Sequence, residues 1–394
     1  MTSVIELPLG GRADGHLRVL VVAESFLPQV NGVTNSVRRV LEHLAAEGHE
    51  AELVAPTGPE AYAGFRVTRA RGANLPFYRD FRIGLETRRR LRAVMTRFRP
   101  DVVHVASPAT LGYQALKVAE ELAIPTVAIY QTDLVGFAER YGWPYPLPGG
   151  VPAAAALTRA IHRRAGRTLA PSSASLAQLT RLGVERTALW PRGVDLVAFD
   201  PARVDHGLRS RLAANGRTIV GYVGRLAPEK ELGLLAHLAN DDRYALVVVG
   251  GGPEDERLRA LLPGAHFLGV LHGDELGAAY ASLDVFVHTG RHETFCQSAQ
   301  EALASGVPVV APRSGGPIDV VDDQVTGFLY EPGAGGQLAA MVQRLHDDPR
   351  LRRRMGRAAR TAVAGRSWQA VNDRLIAHYR DVIGVRFTAH RPAA

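Results

Sequence analysis

Apolar residues along this chain come in short, near-continuous runs, separated by stretches where they recur every three or four positions. Leu17 to Glu24 (LRVLVVAE) is the first run, as expected for a parallel strand covered on both faces. The turn FLPQVNG follows. Val33, Val37, Val40, Leu41 and Leu44 then fall at helical spacing until Gly48, and AELVAP begins the next strand. The alternation continues through DVVHVA (Asp101 to Ala106), PTVAIY (Pro125 to Tyr130) and TLAPS (Thr168 to Ser172). From Arg192 to Gly216 the periodicity weakens, which predicts an interdomain connection. It then restarts with TIVGYVG, a helix containing GLLAHLAN, and the strands YALVVVGGG, HFLGV, DVFVHT and VPVVAP. Such alternation predicts α/β architecture with doubly wound parallel sheets. A chain of 394 residues also exceeds what one core usually supports. The expected organisation is two similar domains facing each other, residues 1–195 and 196–365. A final helix, residues 366–383, with Val371, Leu375, Ile376 and Tyr379 on one side, is expected to cross back to the first domain.

Composition narrows the class. No run approaches the roughly 18 uninterrupted apolar residues of a membrane span. The first sixteen residues lack the basic start and apolar core of a signal peptide. The one cysteine, Cys296, excludes an internal disulfide framework and a cysteine metal cluster, and fits a reducing cytoplasm. Net charge is +8, and the first 195 residues hold most of it, with 24 basic and 17 acidic side chains. That half suits an anionic partner such as a membrane surface, and no nucleic-acid signature accompanies it. Two segments interrupt the alternation. The arginine-, aromatic- and glycine-rich stretch from Pro56 to Gly84 leads into a helix with Leu91, Val94, Met95 and Phe98 on one face and six arginines elsewhere. A basic amphipathic helix of this kind either lies on an anionic membrane or packs on a core with a solvated face. The second interruption, YGWPYPLPGG (Tyr141 to Gly150), is a rigid loop or a lipid- or acceptor-facing one.

The strand–turn–helix from Ser282 to Gly306 carries Glu293 in its turn and Glu301 in its helix. The carboxyl end of a parallel strand, opening onto a helix N-terminus, is where open α/β sheets bind ligands. The first helical N–H groups, near Thr294 to Gln297, suit a phosphate, leaving Glu293 for neutral hydroxyls. Strand TIVGYVG ends in GRLAPEK, placing Arg225 and Lys230 where two cations can neutralise a diphosphate without metal. Lys230 is one of only two lysines among 47 basic residues, the other being Lys117. No metal motif, no P-loop and no hydrolase elbow is present. Gly250 to Gly252 is either a phosphate-loop cue or a simple turn. In the first half, Gly32 in PQVNG permits close backbone approach to a phosphate. Asp133 in YQTD either orients or deprotonates an acceptor hydroxyl, or caps a loop; Gln131 can only hydrogen-bond.

E-x7-E (Glu293, Glu301), G-R-x4-K (Arg225, Lys230), the turn at Gly32 and RGVD-x3-F (Arg192 to Phe199) together resemble the retaining glycosyltransferases of the GT-B fold (family 4-like). YQTD, WPRGVD, GYVGRLAPEK, DVFVHTGRHETFCQ and EALASGVPVVAP are similar to bacterial GDP-mannose-dependent α-mannosyltransferases acting on glycolipids. The resemblance implies two Rossmann-like domains, the first on the acceptor side and the second holding the donor. It implies that Arg225 and Lys230 clamp the donor diphosphate and that Glu293, with the N–H groups of Thr294, Phe295 and Cys296, binds the transferred sugar. By the same resemblance Glu301 binds the ribose, Val270 and Leu271 lie near the base, and Gly32 lies against phosphate on closure. Many relatives carry a histidine where Gln131 stands here, so the general base is open between His104 and Asp133, or the leaving phosphate assists a front-face attack.

The expectation is therefore a cytoplasmic, metal-independent retaining hexosyltransferase without cofactor, peripheral at the inner face of the cell membrane. It would move mannose from GDP-mannose, or a sugar from another nucleoside-diphosphate donor, to a lipid-linked or glycolipid acceptor. Alternatives are a UDP-sugar-dependent glycolipid transferase (glucosyl or sulfosugar), a sugar-nucleotide epimerase and a non-catalytic sugar-nucleotide binder. Acceptor, linkage and oligomeric state are not written in the sequence.

Overall fold

The computed structural model describes residues 15–29, 31–75, 78–141, 150–213 and 216–389. The N-terminal segment, Val30 of PQVNG and nearly all of the aromatic loop YGWPYPLPGG lie outside them. The chain divides into two compact units: residues 1–171, 176–190 and 372–394 form the first, and residues 172–175 and 191–371 the second.

The first unit holds strands β1 (Arg18–Val22), β2 (Glu50–Ala55), β3 (Ala61–Tyr62), β4 (Phe65–Arg69), β5 (Gly72–Leu75), β6 (Tyr78–Gly84), β7 (Val102–Val105), β8 (Thr126–Ile129), β9 (Arg167–Ala170) and β10 (Thr187–Leu189). Eight of them form one sheet in the order β10-β9-β8-β7-β1-β2-β4-β3, and β5 pairs only with β6. The large sheet is parallel except where β3 runs against β4. Buried leucine, valine and alanine on the helices Arg88–Phe98 and Thr110–Glu121 pack on β1 and β7, forming one side of its core.

The second unit is a six-stranded parallel sheet: β11 (Thr218–Val223), β12 (Tyr244–Val249), β13 (His266–Gly269), β14 (Val285–Val287), β15 (Val309–Pro312) and β16 (Gly327–Tyr330), in the order β13-β12-β11-β14-β15-β16. Both faces are buried: Val220, Tyr222, Val285 and Val287 enter one core, and Ile219, Val223 and Phe286 the other. That explains why these strands read as unbroken apolar runs. The chain lays down β11, β12 and β13 in one direction and then returns to place β14 on the other side of β11. The loops after β11 and β14 therefore flank the switch point, where a doubly wound sheet leaves a crevice.

Several elements differ from the sequence reading. DVFVHT pairs as a strand only over Val285–Val287. GLLAHLAN is a 3₁₀ turn, Leu232–Leu235, followed by the short helix Ala236–Ala239. The aperiodic stretch 192–216 contains a 3₁₀ turn, Pro201–Arg203, and a helix, His206–Leu212, started by Asp200 and Asp205 as side-chain caps. The arginine helix Arg88–Phe98 is largely neutralised by its neighbours: Arg88 and Arg92 pair with Glu121, Arg90 with Glu86 and Arg97 with Glu52. This favours the core-packed reading of that helix over membrane contact.

The last helix, Trp368–Ala389, is part of the first unit from Asn372 onward. The Tyr379 hydroxyl lies 2.6 Å from His104 Nδ1, Arg167 pairs with Asp381 at 2.8 Å, and Asn372 Nδ2 donates to the Arg39 carbonyl at 3.0 Å. In the second unit the helix Pro349–Val363 is tied down by Arg360. Its guanidinium donates to the Phe199 and Ala304 carbonyls (2.8 Å each), to the Leu196 carbonyl (3.1 Å) and to Asp200 Oδ2 (2.8 Å). Arg360→Ala leaves three carbonyls and a carboxylate without their cation. It is expected to lower unfolding stability by about 2 kcal/mol, read as a fall in Tm.

Candidate functional site

The loop after β11 is held from below by glycines on the loop after β12. Leu226 N donates to the Gly251 carbonyl at 2.9 Å, and Glu254 N donates to the Leu226 carbonyl at 3.0 Å. A Cβ at Gly250 would land on the Gly224 carbonyl, and one at Gly252 on that of Leu226. Gly250 also sits at φ +135°, where side chains are strained. The glycine run thus lets two loop backbones touch, and the contact fixes the platform from which Arg225 and Lys230 project. Leu226 and Ala227 are buried beneath them. Arg225 pairs with Glu229 four residues on, while Lys230 turns toward the loop after β14 and pairs with Glu293.

That second loop is fastened at several points. Thr289 Oγ1 donates to the Lys230 carbonyl at 2.5 Å. Arg291 forms a two-pronged pair with Glu231 at 2.7 and 2.9 Å. Gly316 N donates to the Glu293 carbonyl at 2.7 Å, and a Cβ at Gly316 would overlap the Phe295 backbone. Cys296 precedes the helix Gln297–Ala304 at φ +75°, a left-handed conformation that costs a non-glycine residue roughly 1 kcal/mol. Among the described residues, the N–H groups of Thr294, Phe295 and Cys296 donate to no protein acceptor. They form a set of open donors at a helix N-terminus.

Both Lys230 Nζ and His288 Nε2 approach the same oxygen of Glu293, Oε1, the histidine at 3.3 Å. Burial disfavours ionisation of Glu293, but the Lys230 ammonium and the His288 ring outweigh it and hold the carboxyl well below its usual range. Burial likewise opposes the charge on Lys230, and Glu293 overcomes it, raising the ammonium above its ordinary value. The pair stays ionised because each member supplies the other's counter-charge.

Glu301 lies within the helix Gln297–Ala304 and behaves differently. Burial pushes it up to about 7, against hydrogen bonds from Tyr280 and Gln297 and the charge of Arg192. The Tyr280 hydroxyl donates to Glu301 Oε2 at 3.1 Å. Arg192 was flagged in the sequence only as part of RGVD. Burial lowers its guanidinium to about 10, while Glu301 and Glu293 pull the other way, so it adds a third cation to the carboxylates' surroundings. Gln300 and Gln297 secure this segment by donating to the carbonyls of Arg192 (2.9 Å) and Gly193 (3.1 Å). Val270, just beyond β13, is 60% exposed, and Leu271 packs on the core. An apolar side chain this exposed at the carboxyl end of the sheet offers a surface for a flat ring.

In the first unit, Gly32 opens the helix Gly32–Ala46, capped by Asn31, whose Oδ1 accepts from Thr34 N at 2.9 Å. Gln131 and Asp133 follow β8. Asp133 Oδ1 accepts from the Tyr130 hydroxyl (3.1 Å), Gly136 N (3.0 Å) and Gln178 Nε2 (2.8 Å). That is a helix-capping arrangement. His104 is buried in β7, edge-on to Trp190 and Tyr379, and burial lowers it to about 3. It is a neutral packing residue. Among the described residues a metal-capable group is formed by His43, Glu47 and Asp373 of the first unit. His43 Nε2 there lies 3.1 Å from Asp373 Oδ1, a tie to the last helix.

Residues 30–197 match the family model Glycosyltransferase Family 4, and residues 208–362 match Glycosyl transferases group 1. The chain is 48% identical to a GDP-mannose-dependent alpha-mannosyltransferase of Mycobacterium tuberculosis, over 94% of this chain and 98% of that protein. It is 27% identical to a GDP-mannose-dependent alpha-(1-6)-phosphatidylinositol dimannoside mannosyltransferase of Mycobacterium tuberculosis, over 77% of this chain and 82% of the other. Among solved structures, the sucrose-phosphate synthase of Thermosynechococcus elongatus superimposes with a TM-score of 0.77 at 22% identity, over 94% of this chain and 100% of that one. That likeness is one of fold.

The backbone contact beneath Arg225 gives a direct expectation. Gly250→Ala forces the two loops apart and should lower stability by about 2 kcal/mol or more, measured by thermal unfolding.

Proposed function

The chain belongs to glycosyltransferase family 4, with the GT-B fold, and we propose that it transfers mannose from GDP-mannose to a lipid-linked or glycolipid acceptor with retention at the anomeric carbon. The observation that carries this reading is the Lys230–Glu293 pair beside the open amides of Thr294, Phe295 and Cys296 at the switch point. The similarity to a GDP-mannose-dependent enzyme along almost the whole chain supports the donor. The relative whose name specifies a phosphatidylinositol dimannoside supports the acceptor class.

In this reading Arg225 and Lys230 meet the charge that builds on the departing diphosphate, with no metal required. Glu293 and the three amides hold the sugar, Glu301 the ribose, and Val270 with Leu271 the base. Gly32 remains the first unit's candidate for the donor phosphate, and Gln131 and Asp133 remain the acceptor-side candidates. Gln131 cannot take a proton, the Asp133 oxygen Oδ1 already accepts three hydrogen bonds, and His104 is buried. This favours a front-face reaction in which the bond from the anomeric carbon to phosphate breaks, the acceptor oxygen bonds on the same face, and its proton passes to the departing phosphate oxygen. We place the enzyme in the cytoplasm, peripheral at the inner face of the cell membrane. Support comes from the positive first half of the sequence and from the lack, among the described residues, of a helix long and apolar enough to cross a membrane.

Glu293→Gln and Lys230→Ala should each reduce transfer about 100-fold or more with the fold intact. The measurement is nucleotide release with a membrane extract as acceptor. Unchanged turnover in either variant would remove the donor assignment, and tighter binding of UDP than GDP in calorimetry would change the donor. A second expectation concerns pH. Ribose hydroxyls donate to a carboxylate, and Glu301 ionises at about 7. GDP affinity should therefore rise as pH climbs through that value, with proton release on binding. Glu301→Gln should weaken binding and flatten the pH profile; a wild-type affinity independent of pH contradicts the ribose role.

A further inference from the structure

We infer that His288 is a positioning residue of the donor site, sharing Glu293 Oε1 with Lys230 so that the carboxylate keeps its second oxygen, Oε2, toward the transferred sugar. This rests on the reading of Glu293 as the sugar-binding carboxylate. The imidazole is 2% exposed and held from every side. His288 N donates to the Val310 carbonyl at 2.9 Å, and its own carbonyl accepts from the Tyr330 hydroxyl at 3.0 Å. The ring stacks on Tyr222, with centroids 6.2 Å apart and planes 20° from parallel. Nε2 lies 3.3 Å from Glu293 Oε1, and the Gly290 backbone passes so close that an added Cβ would lie 3.3 Å from the same nitrogen. Among the described residues Oε2 accepts from no side chain or amide.

Other buried histidines in this chain show what a packing histidine looks like. His104 and His162 are lowered by burial to about 3 and about 4, each with a hydroxyl beside Nδ1. His288 goes the other way. Burial alone would discharge it, but the Cys296 sulfur and the Glu293 carboxylate raise it to about 10. The Glu293 carboxylate thus favours the protonated ring, whose Nε2 lies at ion-pair distance from Oε1.

The reason for a second cation lies in the double duty of Lys230. A diphosphate arriving at this loop competes with Glu293 for the ammonium. A carboxylate held by Lys230 alone would swing as the lysine turned to phosphate. His288, locked between Tyr222 and the sheet, cannot follow the phosphate and stays with Glu293.

The test uses the full-length enzyme with His288→Leu, His288→Gln and His288→Asn, and Glu293→Gln as reference. Gln places an amide N–H near the position of Nε2; Asn is too short to do so. His288→Leu should lower kcat/KM for GDP-mannose at least about tenfold while the Kd for GDP stays within about threefold, and His288→Gln should exceed His288→Asn in kcat by about tenfold. The Gln and Asn pair decides the matter if the Leu variant does not fold. Equal activity of Gln and Asn, Leu within about twofold of wild type, or parallel losses in GDP binding and turnover would overturn the inference. If Glu293→Gln is also fully active, the donor-site reading falls; if only the His288 variants are active, the positioning role alone falls.

Discussion

The ion pair between Lys230 and Glu293 is the constraint around which the second unit is arranged. Their side chains are only 21% and 18% exposed, and neither would hold its charge there alone. Everything around them keeps the two loops in register: the touching glycine backbones, the Arg291–Glu231 fork, the Thr289 bond and the packing of Gly316 on Phe295. A charged pair at a switch point adds little to stability once desolvation is counted. What it provides is a prearranged set of charges, with one cation able to turn to a ligand and one carboxylate that need not move with it.

How much of this was legible beforehand depended on the kind of signal. Strands buried on both faces wrote themselves as apolar runs, so β1, β7, β8, β11, β12 and β15 could be read directly. β10, β16 and the β5–β6 hairpin could not: they are short or glycine-bearing, and pairing with a neighbouring strand, more than an apolar run, defines them. Arg225, Lys230, Glu293 and Glu301 were visible because type and spacing coincide with strand ends. The roles of His288 and Arg192 were not: Arg192 stood out only as part of RGVD, and a histidine after a strand has no spacing signature, its neighbours Tyr222 and Cys296 meeting it only in three dimensions. Asp133 shows the opposite case. Its position is suggestive in sequence, while its partners Tyr130, Gln178 and Gly136 give it a capping task.

Charge patterning calls for the same care. The arginines of Arg88–Phe98 form a basic face when written as a helix, yet four of them meet glutamates: Glu121 and Glu52 on other elements, and Glu86 just before the helix. Composition fixes the number of charges; which of them face an outside partner is decided by what the fold brings alongside.

The last helix has a bearing on how the protein is made. Asn372, Tyr379 and Asp381 complete the first unit by bonding to Arg39, His104 and Arg167. Those partners leave the ribosome hundreds of residues earlier. The first unit to be synthesised is thus the last to be finished, and its sheet must wait with an unfilled seam while the second unit, contiguous from residue 191 to 371 with one short upstream piece, 172–175, can close as it emerges. Folding order here runs against the order of translation, and a premature stop near the C-terminus would damage the N-terminal half.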